Sequence, residues 1–234
     1  MNIPDKLKRL ISLLEHTDVK SEDELNYIVN SMHINIADIS DYINFRHPLN
    51  ESYGRKIIYE SKKIEMVTMS WNIGDFTSIH DHGQAQWGLV LSFGAVQNSI
   101  FEISKHKLML IDEQILAAGE ITILDNSAIH QMGNSNLRPS VSLHIYYTQK
   151  SEKGVTAEAR NYDLYDNKIY KANGGAFLLL AKENIVSEEK CPDYDQALYE
   201  KQFVIRRNFI DKCCPVNMRK KYPSTSINIH NEQR

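Results

Sequence analysis

The chain has 234 residues, a length that suits one domain or one domain with an appendage. Hydrophobic residues make up 42% and charged residues 24%, and the formal net charge is -3 with no basic blocks, which argues against nucleic acid as the main ligand. No window approaches the roughly 18 consecutive apolar residues of a membrane-spanning helix, and the start, Met1-Asn2-Ile3-Pro4-Asp5-Lys6, has no signal-peptide layout, so a cytoplasmic protein without a membrane partner is expected.

Residues 1–50 read as a helical cap. Pro4 suits a first helical position, and Asp5 to Leu14 carries apolar residues at 3–4 spacing. Ser21-Glu22-Asp23-Glu24 offers a capping box ahead of the stripe Leu25, Ile28, Val29 and Met32. A third short helix is expected around Ile36–Ile43. From Arg55 the period changes to that of strands: Arg55–Glu60, Ile64–Trp71, Gln86–Ser92, Ala95–Ile103, Lys107–Ile111, Gln114–Ala117, Glu120–Leu124, His130–Met132 and Val141–Tyr147. Lys168–Lys171 and Ala176–Leu180 extend the series. Many short strands without intervening helices indicate an all-β sandwich or barrel over residues 51–182. Residues 183–234 read as a helical tail. Ser187–Pro192 looks like a loop, Asp193–Cys213 carries an amphipathic pattern that would pack back on the barrel, and Arg219-Lys220-Lys221 is a solvated basic cluster near a frayed end. Cys191, Cys213 and Cys214 have neither disulfide nor zinc spacing and read as reduced thiols.

The chemistry concentrates in two punctuated segments. The first is Gly74-x5-His80-x-His82-x3-Gln86, and the second is Gly119-x5-Asp125-x-Ser127-x-x-His130-x3-Asn134. On a strand, residues i and i+2 share a face, so His80 and His82 would point into one cavity with Asp81 turned away. Three convergent imidazoles suit a divalent transition metal. The pair of segments resembles the two cupin motifs, which implies a double-stranded β-helix (jelly-roll) barrel with N-terminal helices and a C-terminal helical extension. Many cupins place a glutamate ligand where Gln86 stands. The neutral three-histidine set would leave coordination positions open for an anionic ligand and dioxygen.

Further along, Ser142-Leu143-His144-Ile145-Tyr146 alternates at period two, so Ser142, His144 and Tyr146 share one face. Spacing alone fits a hydrogen-bond relay or the polar face of a half-solvated strand equally well. Together with Tyr53-Gly54-Arg55, Trp71 nine residues before His80, and Ser78-Ile79-His80-Asp81-His82, this row resembles the cysteine dioxygenase family of thiol dioxygenases. The resemblance runs from the N-terminus to about residue 180. It implies Fe(2+) held by His80, His82 and His130, and a relay of Ser142, His144 and Tyr146. It also implies a substrate carboxylate paired with Arg55 in a pocket lined by Tyr53 and Trp87. By itself Arg55 reads as a surface salt bridge. Trp87 departs from the family: it stands where animal members have a cross-linking cysteine and bacterial members commonly glycine. An inward tryptophan would reshape the pocket, whereas a register shift would place Gly88 there.

The resulting expectation is a non-haem iron dioxygenase that takes a small amino-acid thiol, L-cysteine or a close analogue, and O2 to a sulfinic acid, as a monomer or weak homo-oligomer. Two other readings stand beside it: a cupin dioxygenase or isomerase with a non-thiol substrate, and a non-catalytic metal-binding cupin that senses a small ligand.

Overall fold

The computed structural model describes residues 2–149 and 151–213, so the readings of Cys214 and of Arg219-Lys220-Lys221 lie outside the described residues. Two helices, α1 (Asp5–His16) and α2 (Glu22–Ser31), and a 3₁₀ helix (Ile36–Tyr42) precede the strands. Helix α1 buries Leu7, Leu10, Ile11 and Leu14, one stripe at 3–4 spacing, and Pro4 stands at its N-cap rather than its first turn. Ser21 caps α2 by accepting from the Glu24 N–H, but the Glu24 carboxylate accepts from the Lys20 N–H. The reciprocal capping box forms instead between Asn35 and Asp38, ahead of the 3₁₀ helix.

Among the described residues, twelve strands follow: β1 (Gly54–Glu60), β2 (Ile64–Trp71), β3 (Ile79–His80), β4 (Trp87–Ser92), β5 (Val96–Ser104), β6 (Lys107–Leu116), β7 (Ile121–Asp125), β8 (Ile129–Gly133), β9 (Ser140–Tyr147), β10 (Ala159–Asp163), β11 (Lys168–Ala172) and β12 (Ile185–Lys190). They form a five-stranded sheet in the order β1-β2-β9-β4-β7 and a seven-stranded sheet in the order β12-β11-β10-β3-β8-β5-β6. The pairings are antiparallel throughout both sheets, and two such sheets make a cupin double-stranded β-helix.

Strands β2 and β9 are buried along their whole length because both faces are covered. One face of the five-stranded sheet (Ile64, Met66, Leu89, Leu91, Leu143, Ile145, Tyr147) packs on Leu7, Leu10, Leu14, Leu25 and Ile39 of the helical cap. The other face turns Val67, Met69, Trp71, Val90 and Tyr146 into the barrel. The period-two alternation therefore separates a cap-facing core from the interior that holds the site.

Four expectations change. Lys107–Ile111 and Gln114–Ala117 are one strand, β6, bulged where Ile100 pairs with Asp112 but Phe101 with Leu110. Ala176–Leu180 forms no strand; Leu178 and Leu179 pack instead against Ile205 and Phe209. The stretch read as a loop, Ser187–Pro192, lies largely in β12, which pairs with β11 and extends the seven-stranded sheet from within the segment read as a helical tail. Strand β10 was not among the expected strands, and it brings Asn161 opposite His80. Helix α3 (Gln196–Cys213) lies on the barrel wall through Leu198, Ile205, Phe209 and Ile210, with Arg206 paired to Asp163.

Candidate metal centre

Strand β3 is two residues long and ends on His80, which sits directly opposite His130 on β8. The chain then leaves the sheet, so His82 follows on a turn rather than a strand. Asp81 fixes that turn. Its carboxylate accepts from the backbone N–H groups of Gly83 (3.1 Å) and Arg160 (2.8 Å) and pairs with the Arg160 guanidinium. Among the described residues, the side chains placed to hold a metal are His80, His82 and His130, with ligand atoms within 4.8 Å of one another and all three rings buried.

Two of the imidazoles are oriented from behind. His80 Nδ1 donates to the Ser78 carbonyl (3.0 Å) and His130 Nδ1 to Asn98 Oδ1 (3.0 Å), which leaves each Nε2 unprotonated and facing inward. Burial, the largest effect, lowers the His80 pKa and holds those of His82 and His130 well below the usual range, the neighbouring imidazoles adding to it for the latter two. All three are neutral ligands at physiological pH. His82 Nε2 and His130 Nε2 stand 2.9 Å apart. Two metal–imidazole bonds of about 2.1 Å at a right angle would set nitrogens about 3.0 Å apart, so the donor set fits one divalent transition metal. Gln86 is half-buried, and its backbone N–H donates to the Tyr147 carbonyl (2.8 Å).

On β9, Ser142, His144 and Tyr146 stand in one row of polar contacts. Trp71 Nε1, which can only donate, bonds to Ser142 Oγ at 2.9 Å, and Ser142 Oγ lies 2.8 Å from His144 Nε2. With the serine proton directed onto Nε2, the imidazole proton sits on Nδ1, 3.4 Å from Tyr146 Oη. The phenol O–H is then free to donate into the cavity. Burial pushes the His144 pKa down to about 3 and raises that of Tyr146, so the imidazole is neutral and the phenol keeps its proton. The Tyr146 ring lies 5.0 Å from that of His82, placing the phenol beside the metal ligands.

Beside the ligands, Tyr53, Arg55, Glu65, Met69, Tyr146 and Thr156 line a cavity whose free space is about 20 Å³, room for about one water. Tyr53 stacks on Trp71 and packs on Phe177, with centroids at 5.0 and 4.8 Å. Arg55 is not a surface residue: its guanidinium is paired with Glu65, which is 4% exposed and lies opposite Tyr146 across the β2–β9 ladder.

Trp87 is the predicted site residue that the fold does not bring to the cavity. It points to the other face of β4 and packs against the helical cap. Pairing with β9 sets this: Trp87 is level with the cap-facing Tyr147, and Gly88 with the inward Tyr146. Gly88 is the residue against the ligands, since a Cβ there would lie 2.8 Å from the His82 ring.

Sequence reasoning did not single out Asn98, Ser78, Glu65 or Thr156. Glu65 alone carried a signal, a charge inside the apolar run Ile64-Glu65-Met66-Val67. Asn98 and Thr156 depend on strand partners far away in the chain.

A family model described as cysteine dioxygenase type I matches residues 3–153, a stretch that holds every predicted site residue. Cysteine dioxygenase type 1 from Danio rerio is 25% identical over 150 residues, covering 61% of this chain and 75% of that protein. The Homo sapiens protein of the same name is 22% identical over 149 residues, covering 61% and 74%. A solved Klebsiella pneumoniae protein with a double-stranded β-helix domain is 16% identical, with a TM-score of 0.37 over 47% of this chain and 85% of that one. The family model, spanning well over half of the residues, shows that the chain belongs to the cysteine dioxygenase type I family.

Proposed function

We propose that the protein is a mononuclear non-haem iron thiol dioxygenase that converts a small amine-bearing thiol, L-cysteine or an analogue such as 2-aminoethanethiol, to its sulfinic acid. The overall change is RSH + O2 → RSO2H. Both oxygen atoms end on sulfur, and no external reductant is needed. The observation that carries this reading is the placement of the Trp71–Ser142–His144–Tyr146 relay against a neutral three-histidine site.

Ferrous iron, held by His80, His82 and His130, would supply a Lewis-acidic centre that favours a thiolate over a thiol and takes up dioxygen beside it. The rest is the work of this chain's own side chains. Ser78 and Asn98 hold two ligand rings in the tautomer that presents Nε2. The neutral ligand set leaves the charge of a divalent ion uncompensated, which favours an anionic sulfur donor. Tyr146 presents a phenol O–H held protonated by burial, a donor toward the charge that develops on oxygen. His144 keeps that donor aimed, because its own proton is fixed by Ser142 and Trp71. Tyr53, Met69 and Tyr146 give the cavity beside the ligands an apolar and aromatic lining.

The test is anaerobic loading with ferrous iron, followed by oxygen uptake and product analysis with cysteine, 2-aminoethanethiol, 3-mercaptopropionate and homocysteine. The proposal expects one iron per chain, oxygen uptake with at least one of these thiols and the matching sulfinate. Stoichiometric iron with no sulfinate from any thiol would contradict it and leave a non-thiol substrate or a ligand-binding role.

A further inference from the structure

The wall of the cavity contains a buried carboxylate that no catalytic step uses. Glu65, 4% exposed, spends one carboxylate oxygen on Arg55 and accepts from Thr156 Oγ1 at 2.6 Å with the other. Its position on β2, opposite Tyr146 on β9, is fixed by eight consecutive ladder pairs, so it cannot leave the wall by a shift of register. The guanidinium that would pair with a substrate carboxylate is therefore already neutralised from within the protein.

A second carboxylate brought to Arg55 would face Glu65 across the same guanidinium, in the wall of a buried site. Two buried anions sharing one cation cost far more than one, since neither keeps its hydration. An ammonium or a neutral end group meets no such penalty. A carboxylate that already accepts two hydrogen bonds retains lone pairs for a third donor.

We propose that Glu65 is a specificity residue that holds Arg55 and turns the site toward small aminothiols without a carboxylate, of which 2-aminoethanethiol is the smallest. This rests on the thiol dioxygenase reading for the chemistry but has its own readout in binding. The full chain loaded with cobalt(II) is titrated with 2-aminoethanethiol and with L-cysteine, following the thiolate-to-cobalt absorption. The wild-type protein binds 2-aminoethanethiol at least ~10-fold more tightly than L-cysteine. In Glu65→Gln the guanidinium is released, and the ratio moves toward L-cysteine by ~10-fold or more, through tighter L-cysteine binding. L-cysteine bound by the wild type as tightly as 2-aminoethanethiol overturns the proposal, and so does a folded Glu65→Gln protein with the wild-type ratio. Should that variant fail to fold, the wild-type ratio decides alone. Absence of oxygen uptake by the iron-loaded protein with either thiol would count against the dioxygenase reading, while the binding ratio still decides the role of Glu65.

Discussion

Gly88 and His82 meet across the barrel interior so closely that a Cβ at residue 88 would lie 2.8 Å from both Cε1 and Nδ1 of the imidazole. A side chain at 88 and a ligand at 82 cannot both keep their places. The expected outcome for Gly88→Ala is a displaced His82 ring and a metal affinity reduced by roughly 10–100-fold, as when other supports of a ligand are lost. Chelator competition measures it. The neighbouring change Trp87→Ala removes packing against the cap instead, lowering unfolding free energy by about 2 kcal/mol in urea while leaving metal affinity unchanged.

How far the sequence alone reaches is visible in this pair. Strand composition places β4, and the His80-x-His82 spacing points to a pair of candidate ligands, because both signals are local; His130 joins them only through its matching second motif. A two-residue period does not say which of two adjacent residues faces inward; pairing with β9 decides it, and that is tertiary information. Similar reasons hide other elements. Ser187-Glu188-Glu189-Lys190 is too charged to read as a strand, yet edge strands tolerate charge and here pair it, Lys168 with Glu188 and Lys171 with Glu189. Ala176–Leu180 is apolar enough for a strand, but its burial comes from contact with α3. Arg55 by itself reads as a surface cation, and only the resemblance implies a place beside the site; its partner Glu65 stays hidden, because only the barrel interior brings them together.

Asn98 holds the His130 ring through Nδ1 at 3.0 Å from within β5, 32 residues away in the chain. Asn98→Ala is expected to lower metal affinity about 10–100-fold with little change in fold. Metal titration followed by near-ultraviolet circular dichroism distinguishes a mis-aimed ligand from a disrupted barrel.

Under the proposed function, Tyr146 and its relay would act on turnover rather than on binding. Tyr146→Phe is expected to reduce kcat by roughly 10²-fold with KM changed much less, since the lost hydrogen bond is made to developing charge. Trp71→Phe removes the donor that fixes the Ser142 proton, and a smaller fall of about tenfold is expected, again in kcat. Steady-state oxygen uptake with a thiol that the wild type oxidises separates the two constants.

Acid weakens the metal-free protein in a defined direction. His80, His82, His130 and His144 are buried neutral, their folded pKa values below the unfolded 6.5. The unfolded chain therefore binds more protons as pH falls through 6.5, and stability is lost from that point downward. Each such imidazole contributes up to roughly 1.4 kcal/mol per pH unit between its two pKa values. His47 works against this: its hydrogen bond to Asp75 raises its pKa, so its contribution is fully present below 6.5 and fades as pH rises through the raised value. Urea unfolding of metal-free protein at pH 7.5 and 5.5 should show a net loss at the lower pH. His144→Asn should flatten that loss, and His47→Gln should steepen it.

The measurement that bears most directly on the central claim is turnover of the iron-loaded protein under isotopically labelled dioxygen, with mass analysis of the sulfur product. A dioxygenase acting through this site places both labelled atoms in one sulfinate molecule. One labelled atom with one from water, or a disulfide with no label at all, would contradict the assignment of dioxygenase chemistry to His80, His82, His130 and Tyr146.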